Sequence, residues 1–281
     1  MPLSTKTAVE EKNNMSLLKK QVGEIVYFYD PNILVPHAFT TRCGGVSGGV
    51  YESLNLGLNL GDHQADVYEN YHRILGALGT NSKKLIVQRQ IHTDVVRQVG
   101  KADLLDGVFH GDLPQGDGLI TTEKGISLGV FTADCIPILL WDEKTGAIGV
   151  VHAGWRSTVM NIAGKAVEKL VETAQTEVRH IRVAIGPGIG FCCFETDEEV
   201  PKAVEAALGE NSHGSILRKE QGKAMVDLKE VNRRLLVGAG VLAHNITLSE
   251  LCTMCHPELF WSHRKMGRER GSLASIICAK E

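Results

Sequence analysis

Residues 131–157 read FTADCIPILLWDEKTGAIGVVHAGWRS, and the fold turns on this stretch. Two apolar runs, Ile136 to Trp141 and Ala147 to Val151, flank the polar turn Asp142-Glu143-Lys144-Thr145-Gly146. The pattern predicts two buried strands joined as a hairpin. Cys135 then stands just before the first strand and His152 just after the second. In an antiparallel pair both lie at the same end of the sheet, so a thiol and an imidazole are expected side by side. Gly154 breaks the strand, and Ser157 is the expected cap of the helix that follows.

Outward from this hairpin, periodicity predicts strands at 25–29, 34–41, 85–90, 94–99, 118–122, 126–132, 180–186, near 245–249 and at 272–279. Helical spacing marks 66–78, with apolar or aromatic residues at 67, 68, 71, 74, 75 and 78. A second amphipathic helix carries Val159, Ile162, Ala163, Ala166, Val167, Leu170 and Val171 on one face. Thr196-x-x-Glu199 and Asp227-x-x-Glu230 read as capping signals for two more helices, ending near Leu208 and Leu236. Residues 103–117 and 209–223 read as polar loops. Strands and helices alternate irregularly, with antiparallel neighbours, which predicts one mixed α/β (α+β) domain over residues 21–281 behind a disordered tail, residues 1–20.

The chain has 281 residues and is 43% hydrophobic, enough to bury a substantial core. A net charge of -3 gives no general attraction to nucleic acid or to an anionic membrane. The amino-terminal stretch has no apolar signal segment, and the seven cysteines form no even disulfide spacing, so reduced thiols in the cytoplasm are expected. Nothing in the sequence speaks to oligomeric state.

Several stretches invite a chemical reading. The glycine-dense Arg42-Cys43-Gly44-Gly45-Val46-Ser47-Gly48-Gly49 is either an anion-binding loop or a wide surface turn; it lacks the Gly-Lys-Ser/Thr ending of a P-loop. His92 falls at a sharp junction between two strands. Cys252-Thr253-Met254-Cys255-His256 matches the spacing of covalent haem attachment, which requires export, and Cys-x-x-Cys alone is half a zinc site without a second such pair. A reduced thiol pair is the default there. None of the 11 histidines is followed by another at His-x-His spacing, so multicopper chemistry is unsupported, although a copper site of two His and one Cys stays open. Cys135 and His152 fit three readings: ligands of a zinc ion with one more histidine, a thiol nucleophile with its base, or a buried cysteine beside a structural histidine.

The motifs TTRCGGVS (40–47), SLNLG (53–57), QIHTD (90–94), DGLIT (117–121), ADC (133–135), VHAGWR (151–156), GPGIGFCCFE (186–195) and SHR (262–264) occur in this order. Together they resemble the zinc-dependent purine nucleoside phosphorylases formerly called laccase-domain or multicopper polyphenol oxidase proteins, over about residues 34 to 279. The resemblance implies a single four-layer α/β/β/α-type domain with mixed sheets. It implies phosphorolysis of adenosine, inosine, guanosine and S-methyl-5'-thioadenosine, with purine nucleosides and phosphate as partners, and adenosine deaminase activity besides. It also implies His92, Cys135 and His152 as zinc ligands.

Asp134, next to Cys135, is the candidate acid/base group. Arg42, Arg156 and Arg264 are candidates to hold phosphate, with Ser47 and Asn55 as further substrate-binding candidates from their motifs. The chain departs from the family at Phe194, where a tyrosine is common, and at Asn59, often a histidine. Cys255 and His256 lie outside the family pattern. A copper-dependent polyphenol oxidase, a Cys135/His152 thiol hydrolase and a non-catalytic nucleoside-binding module are the rival classes.

Overall fold

Fifteen strands and six helices, with short 3₁₀ turns between them, make up the computed structural model, which describes residues 16–105 and 112–281. The expected loop at 103–117 therefore falls partly outside the described residues. One six-stranded sheet contains β1 (Leu18–Val22), β2 (Ile25–Tyr29), β3 (His37–Thr40), β4 (Leu85–Ile86), β7 (Ser127–Thr132) and β15 (Leu273–Cys278), in the order β1-β2-β3-β15-β7-β4. A second is built from β5 (Val96–Gln98), β6 (Gly118–Thr121), β8 (Ile136–Asp142), β9 (Ile148–Ala153), β10 (Ile181–Ile185) and β14 (Ile246–Leu248), in the order β14-β10-β8-β9-β6-β5. Both mix parallel with antiparallel pairs. A small sheet of β11 (Glu195–Asp197), β12 (Ile216–Arg218) and β13 (Lys223–Val226) is antiparallel.

Side-chain alternation along the strands builds the layers. Leu273 and Ile277 of β15 pack with Leu128 and Val130 against Leu119, Leu139, Ile148 and Val150, forming the core between the two large sheets. The intervening Ala274, Ile276 and Cys278 turn the other way, onto Val67, Tyr71, Ile74 and Leu75 of α1 (Gln64–Ala77). On the far side, Ile120, Ile138, Leu140 and Val151 meet α3 (Ile162–Ala174) and α5 (Leu228–Gly238). The result is the four-layer α/β/β/α arrangement that the family resemblance implies. The remaining helices are α2 (Trp155–Val159), α4 (Glu199–Leu208) and α6 (His263–Met266), and no helix among the described residues is long and apolar enough to cross a membrane.

Local expectations differ in places, for identifiable reasons. Leu18–Val22, partly inside the expected tail, is a strand because it pairs with β2, although every residue in it is exposed. Ser157 is not a helix cap: it sits inside α2, its hydroxyl turned back to the Gly154 carbonyl. The chain breaks after α2, and Asn161 caps α3 instead, accepting from the Gly164 N–H at 3.2 Å. Thr196 is no cap either, because it pairs within β11 and leaves Glu198 ahead of α4. Asp227 caps α5 as expected, accepting from Glu230 N–H at 3.0 Å. Residues 209–223 hold β12 and the start of β13 rather than a plain loop.

Candidate metal centre

The hairpin of β8 and β9 is in the register Ile136↔Ala153 and Pro137↔His152, which puts Cys135 and His152 at one sheet end. His152 is the penultimate residue of β9 rather than the one after it. Asp142 closes the other end, its carboxylate accepting from Lys144 N–H at 2.9 Å, while Gly146 supplies the positive φ of the turn. His92 arrives from the connection between β4 and β5, in left-handed backbone at φ 59. The ligand atoms of His92, Cys135 and His152 all lie within 4.8 Å of one another. The Cys135 Sγ and His92 Nε2 are 3.8 Å apart, and the two imidazoles meet edge to face at 4.9 Å between centroids.

Asp117, the residue that opens the DGLIT motif, assembles this group. Its fully buried carboxylate accepts from the N–H groups of Ile91, His92 and Thr93, at 3.2, 3.1 and 2.7 Å, and so holds the strained His92 turn. The same carboxylate takes the His152 Nδ1–H at 2.8 Å, which leaves Nε2 to face the centre. Burial pushes the Asp117 carboxyl up, but these hydrogen bonds outweigh it and keep the pKa below the usual range. Burial likewise pushes the Cys135 thiol up, and the His152 and His92 imidazoles overcome it, bringing it down to about 6. Against its own burial, His152 is raised to about 9 by Cys135 and Asp117. Each shift favours the charged form of its group, the thiolate for Cys135 and the imidazolium for His152.

Gly154 completes the packing: a Cβ there would stand 2.7 Å from His92 Cδ2 and 3.3 Å from Cys135 Sγ. Only glycine lets the chain pass so close to both ligands.

The three residues form part of the wall of a cavity of about 410 Å³, within the usual range for a small-molecule site. Phe131, Trp155 and Phe194 supply aromatic surface, and Arg264 and Arg270 supply positive charge. Asp134 lines the same cavity, in a backbone conformation with φ 88. Its carboxylate accepts from Thr253 Oγ1 and from the Arg264 N–H, both at 2.6 Å. The Arg264 guanidinium donates to the Glu195 carbonyl at 2.8 Å and lies over the Phe194 ring, 5.5 Å from its centroid. Sequence reading missed Asp117 and Arg270. Arg270 sits in an unremarkable charged run; burial lowers its pKa, and its Nε is buried without a hydrogen-bond partner.

Four expected substrate residues are elsewhere. Arg42 stacks on Trp261 at 3.8 Å and spends its guanidinium on the carbonyls of Glu52 and Pro257. Ser47 is buried and donates to Asp62 at 2.7 Å. Asn55 is buried too, bridging Asp62 to the Gly57 and Ser272 N–H groups. Arg156 is exposed and stacks on its neighbour Trp155.

The glycine-dense loop is a packing device rather than an anion cradle. Gly45, Val46 and Ser47 donate their N–H groups to Ser53 Oγ, Asn70 and the Ser53 carbonyl. A Cβ at Gly44 or Gly45 would lie 2.2 Å from a backbone carbonyl oxygen. Asn59, where a histidine is common, lines a neighbouring cavity of about 260 Å³ that shares Phe131 and Ser272 with the first.

Fold and site together define a mixed α/β protein with a His/Cys/His group that could hold a metal ion on the wall of a small-molecule-sized cavity. The chain belongs to the multi-copper polyphenol oxidoreductase laccase family, whose profile matches residues 36–280. It is 35% identical over 245 residues to purine nucleoside phosphorylase YlmD of Bacillus subtilis, covering 86% of this chain and 88% of that one. It is 36% identical over 250 residues to adenosine deaminase RL5 from an unknown prokaryotic organism, covering 86% and 94%. The crystal structure of YlmD from Geobacillus stearothermophilus superimposes with a TM-score of 0.86 at 33% identity, covering 94% of this chain and 99% of that one.

Proposed function

We propose that this chain is a purine nucleoside phosphorylase with accompanying adenosine deaminase activity, working at the His92–Cys135–His152 centre with a zinc ion. The observation that carries this reading is the convergence of three ligands, aromatic walls and two arginines on one cavity, in a chain whose relatives bear those two names.

The donor set suits zinc. One thiolate and two imidazoles match the three-ligand, open-position pattern of catalytic zinc, and the Asp117–His152 hydrogen bond is the usual outer support of such a ligand. Zinc bound there supplies a Lewis acid and brings the pKa of water down toward about 7.

The chain's own residues do the rest. Phe131, Trp155 and Phe194 offer faces for the purine ring. In phosphorolysis, phosphate attacks the anomeric carbon of the ribose as the bond to the base breaks, giving free base and ribose 1-phosphate. Arg264 and Arg270, both on the cavity wall, are the cations we assign to phosphate, in place of Arg42. Asp134 already accepts from two donors; in this reading it positions Arg264 rather than carrying a proton.

The laccase reading is not favoured. Among the described residues, a single cluster carries histidine ligands, where multicopper chemistry needs several.

The test is metal analysis of the purified protein combined with turnover of inosine and adenosine, with and without phosphate. Zinc is expected, with free base released from inosine only when phosphate is present. Base release independent of phosphate, or activity surviving full chelation, would overturn the proposal. Oxygen consumption with a phenol would restore the oxidase reading.

A further inference from the structure

Four of the seven cysteines take no part in the centre just described, yet they meet in space, with Cys252 in the hydrophobic core and Cys193 packed against it. Cys192 and Cys193 follow the glycine turn after β10, while Cys252 and Cys255 follow β14. The two turns are tied by a bridge between Gly188 and Cys252, where the Thr253 N–H donates to the Gly188 carbonyl at 3.1 Å. This brings all four Sγ atoms within 4.8 Å of one another. Cys255 Sγ lies 3.6 Å from Cys192 Sγ and 3.4 Å from Cys193 Sγ, and none of the four is disulfide-bonded.

The second Cys-x-x-Cys pair that the sequence lacked is supplied by two adjacent cysteines. With a zinc–sulfur bond of about 2.3 Å, the edges of a regular ZnS₄ tetrahedron are about 3.8 Å. The spacings of 3.6 and 3.4 Å fall just short of that edge, and every sulfur lies within 4.8 Å of the others. A simple dithiol needs two sulfurs near each other, and hydrophobic packing needs none of them at the surface; here four converge, with Cys192 and Cys255 exposed and Cys252 buried.

At Cys252 the surroundings also suit thiolate charge. The Gly190 N–H donates to Cys252 Sγ at 3.1 Å, and a Cβ at Gly190 would stand 3.1 Å from Cys192 Sγ and 3.0 Å from Cys252 Cβ. The buried Lys229 ammonium, held by the Ser249 and Leu251 carbonyls, interacts electrostatically with both Cys252 and Cys192. It offsets part of the net negative charge that four thiolates leave around a divalent ion.

We propose that Cys192, Cys193, Cys252 and Cys255 form a closed tetrathiolate site for a divalent zinc-type ion, separate from the His92–Cys135–His152 centre. Binding releases the four thiol protons to solvent, and no redox partner is involved. The site is structural, because all four positions are filled by protein. It pins one wall of the cavity to another: Ile189 and Phe194 flank the cysteine pair, and Thr253, which holds Asp134, follows Cys252.

The experiment uses the full chain with Cys135→Ala, which disables the first centre, prepared reduced and supplied with zinc. One zinc ion per chain is expected to remain, and to be lost when Cys192→Ser and Cys255→Ser are added. Cobalt replacement in the Cys135→Ala chain, and in the unmodified chain should that variant misfold, is expected to give the intense charge-transfer absorption of several thiolates in tetrahedral geometry. A folded Cys135→Ala chain that binds no zinc, or a cobalt spectrum with the weak absorption of a single thiolate, would overturn the site. So would a Cys193–Cys255 disulfide found by mass spectrometry in the reduced preparation. Since only the second centre is read in the Cys135→Ala chain, the result stands apart from the fate of the nucleoside assignment.

Discussion

The Asp117 carboxylate accepts the His152 Nδ1–H at 2.8 Å while also accepting the His92 backbone N–H at 3.1 Å. One buried side chain thus orients one imidazole through its ring and the other through its backbone. Two ligands from separate parts of the chain share a single support.

Asp117→Asn tests that support. The amide keeps the volume but replaces an acceptor oxygen with an N–H donor among groups that themselves donate. Zinc affinity at this centre is expected to fall roughly 10- to 100-fold, the usual cost of losing an outer-shell partner. Competition with a calibrated chelator measures it; an unchanged Kd would remove Asp117 from the role.

Gly154→Ala should separate the site from the fold. The new methyl would approach His92 Cδ2 to 2.7 Å, so His92 must move or the turn must shift. Overpacking of this kind costs about 1–3 kcal/mol. The expected outcome is a folded chain with a modestly lower Tm and severely reduced turnover and metal content at this centre. Wild-type turnover would show that the contact is freely relieved.

Arg270 and Arg42 make opposite predictions. Arg270→Ala removes a guanidinium that lines the cavity, and loss of a charged hydrogen bond of about 1.5–3 kcal/mol corresponds to a rise in phosphate KM of roughly 10- to 100-fold. Arg42→Ala removes the stacking on Trp261 and the bonds to Glu52 and Pro257, so stability should fall by about 2 kcal/mol with phosphate KM unchanged. Steady-state kinetics and thermal unfolding of the two variants decide it; a KM effect in Arg42→Ala alone would reverse the assignment.

Metal removal should expose a reactive thiol. Burial raises the Cys135 pKa, but the neighbouring imidazoles win and bring it to about 6, so the thiolate persists as pH falls to that value. Alkylation of the stripped protein at Cys135 is expected to rise with a midpoint near pH 6, whereas buried Cys278, pushed up to about 11, stays protonated and inert. Added zinc should protect Cys135. Peptide mapping of the alkylated chain over a pH series provides the measurement, and a midpoint near that of an ordinary thiol would contradict the pairing.

Much of this was legible along the chain wherever the decisive contacts are local. The hairpin of β8 and β9 follows from two apolar runs around Asp142–Gly146, and its antiparallel register alone brings Cys135 and His152 to one end. The buried faces of α1 and α3 follow from helical period, and the Asp227 cap from its spacing. Local reading failed where two signals competed. Thr196-x-x-Glu199 has the spacing of a cap, but pairing with β13 claimed Thr196 for a strand. A glycine-dense loop suits an anion and a tight backbone crossing equally well, and only the Glu24 and Ser53 carbonyls pressed against Gly44 and Gly45 distinguish them.

By itself, the sequence determined the hairpin, the alternation that layers the sheets, and the types of ligand available. It brought His92 to the centre only through family resemblance, because no periodicity links residue 92 to residue 135. Tertiary structure decided which charges face the cavity and which thiols meet. Arg42 and Arg270 look alike in a string of letters, yet Arg42 spends its guanidinium on the Glu52 and Pro257 carbonyls away from the cavity, while Arg270 lines it, with Nη1 on the Gly271 carbonyl and Nε unpartnered. Cys192–Cys193 and Cys252–Cys255 become one group only when β10 and β14 pair and their following turns cross. A side chain's donors and charge are set by composition, but what they are spent on is set by neighbours that the fold supplies from distant positions.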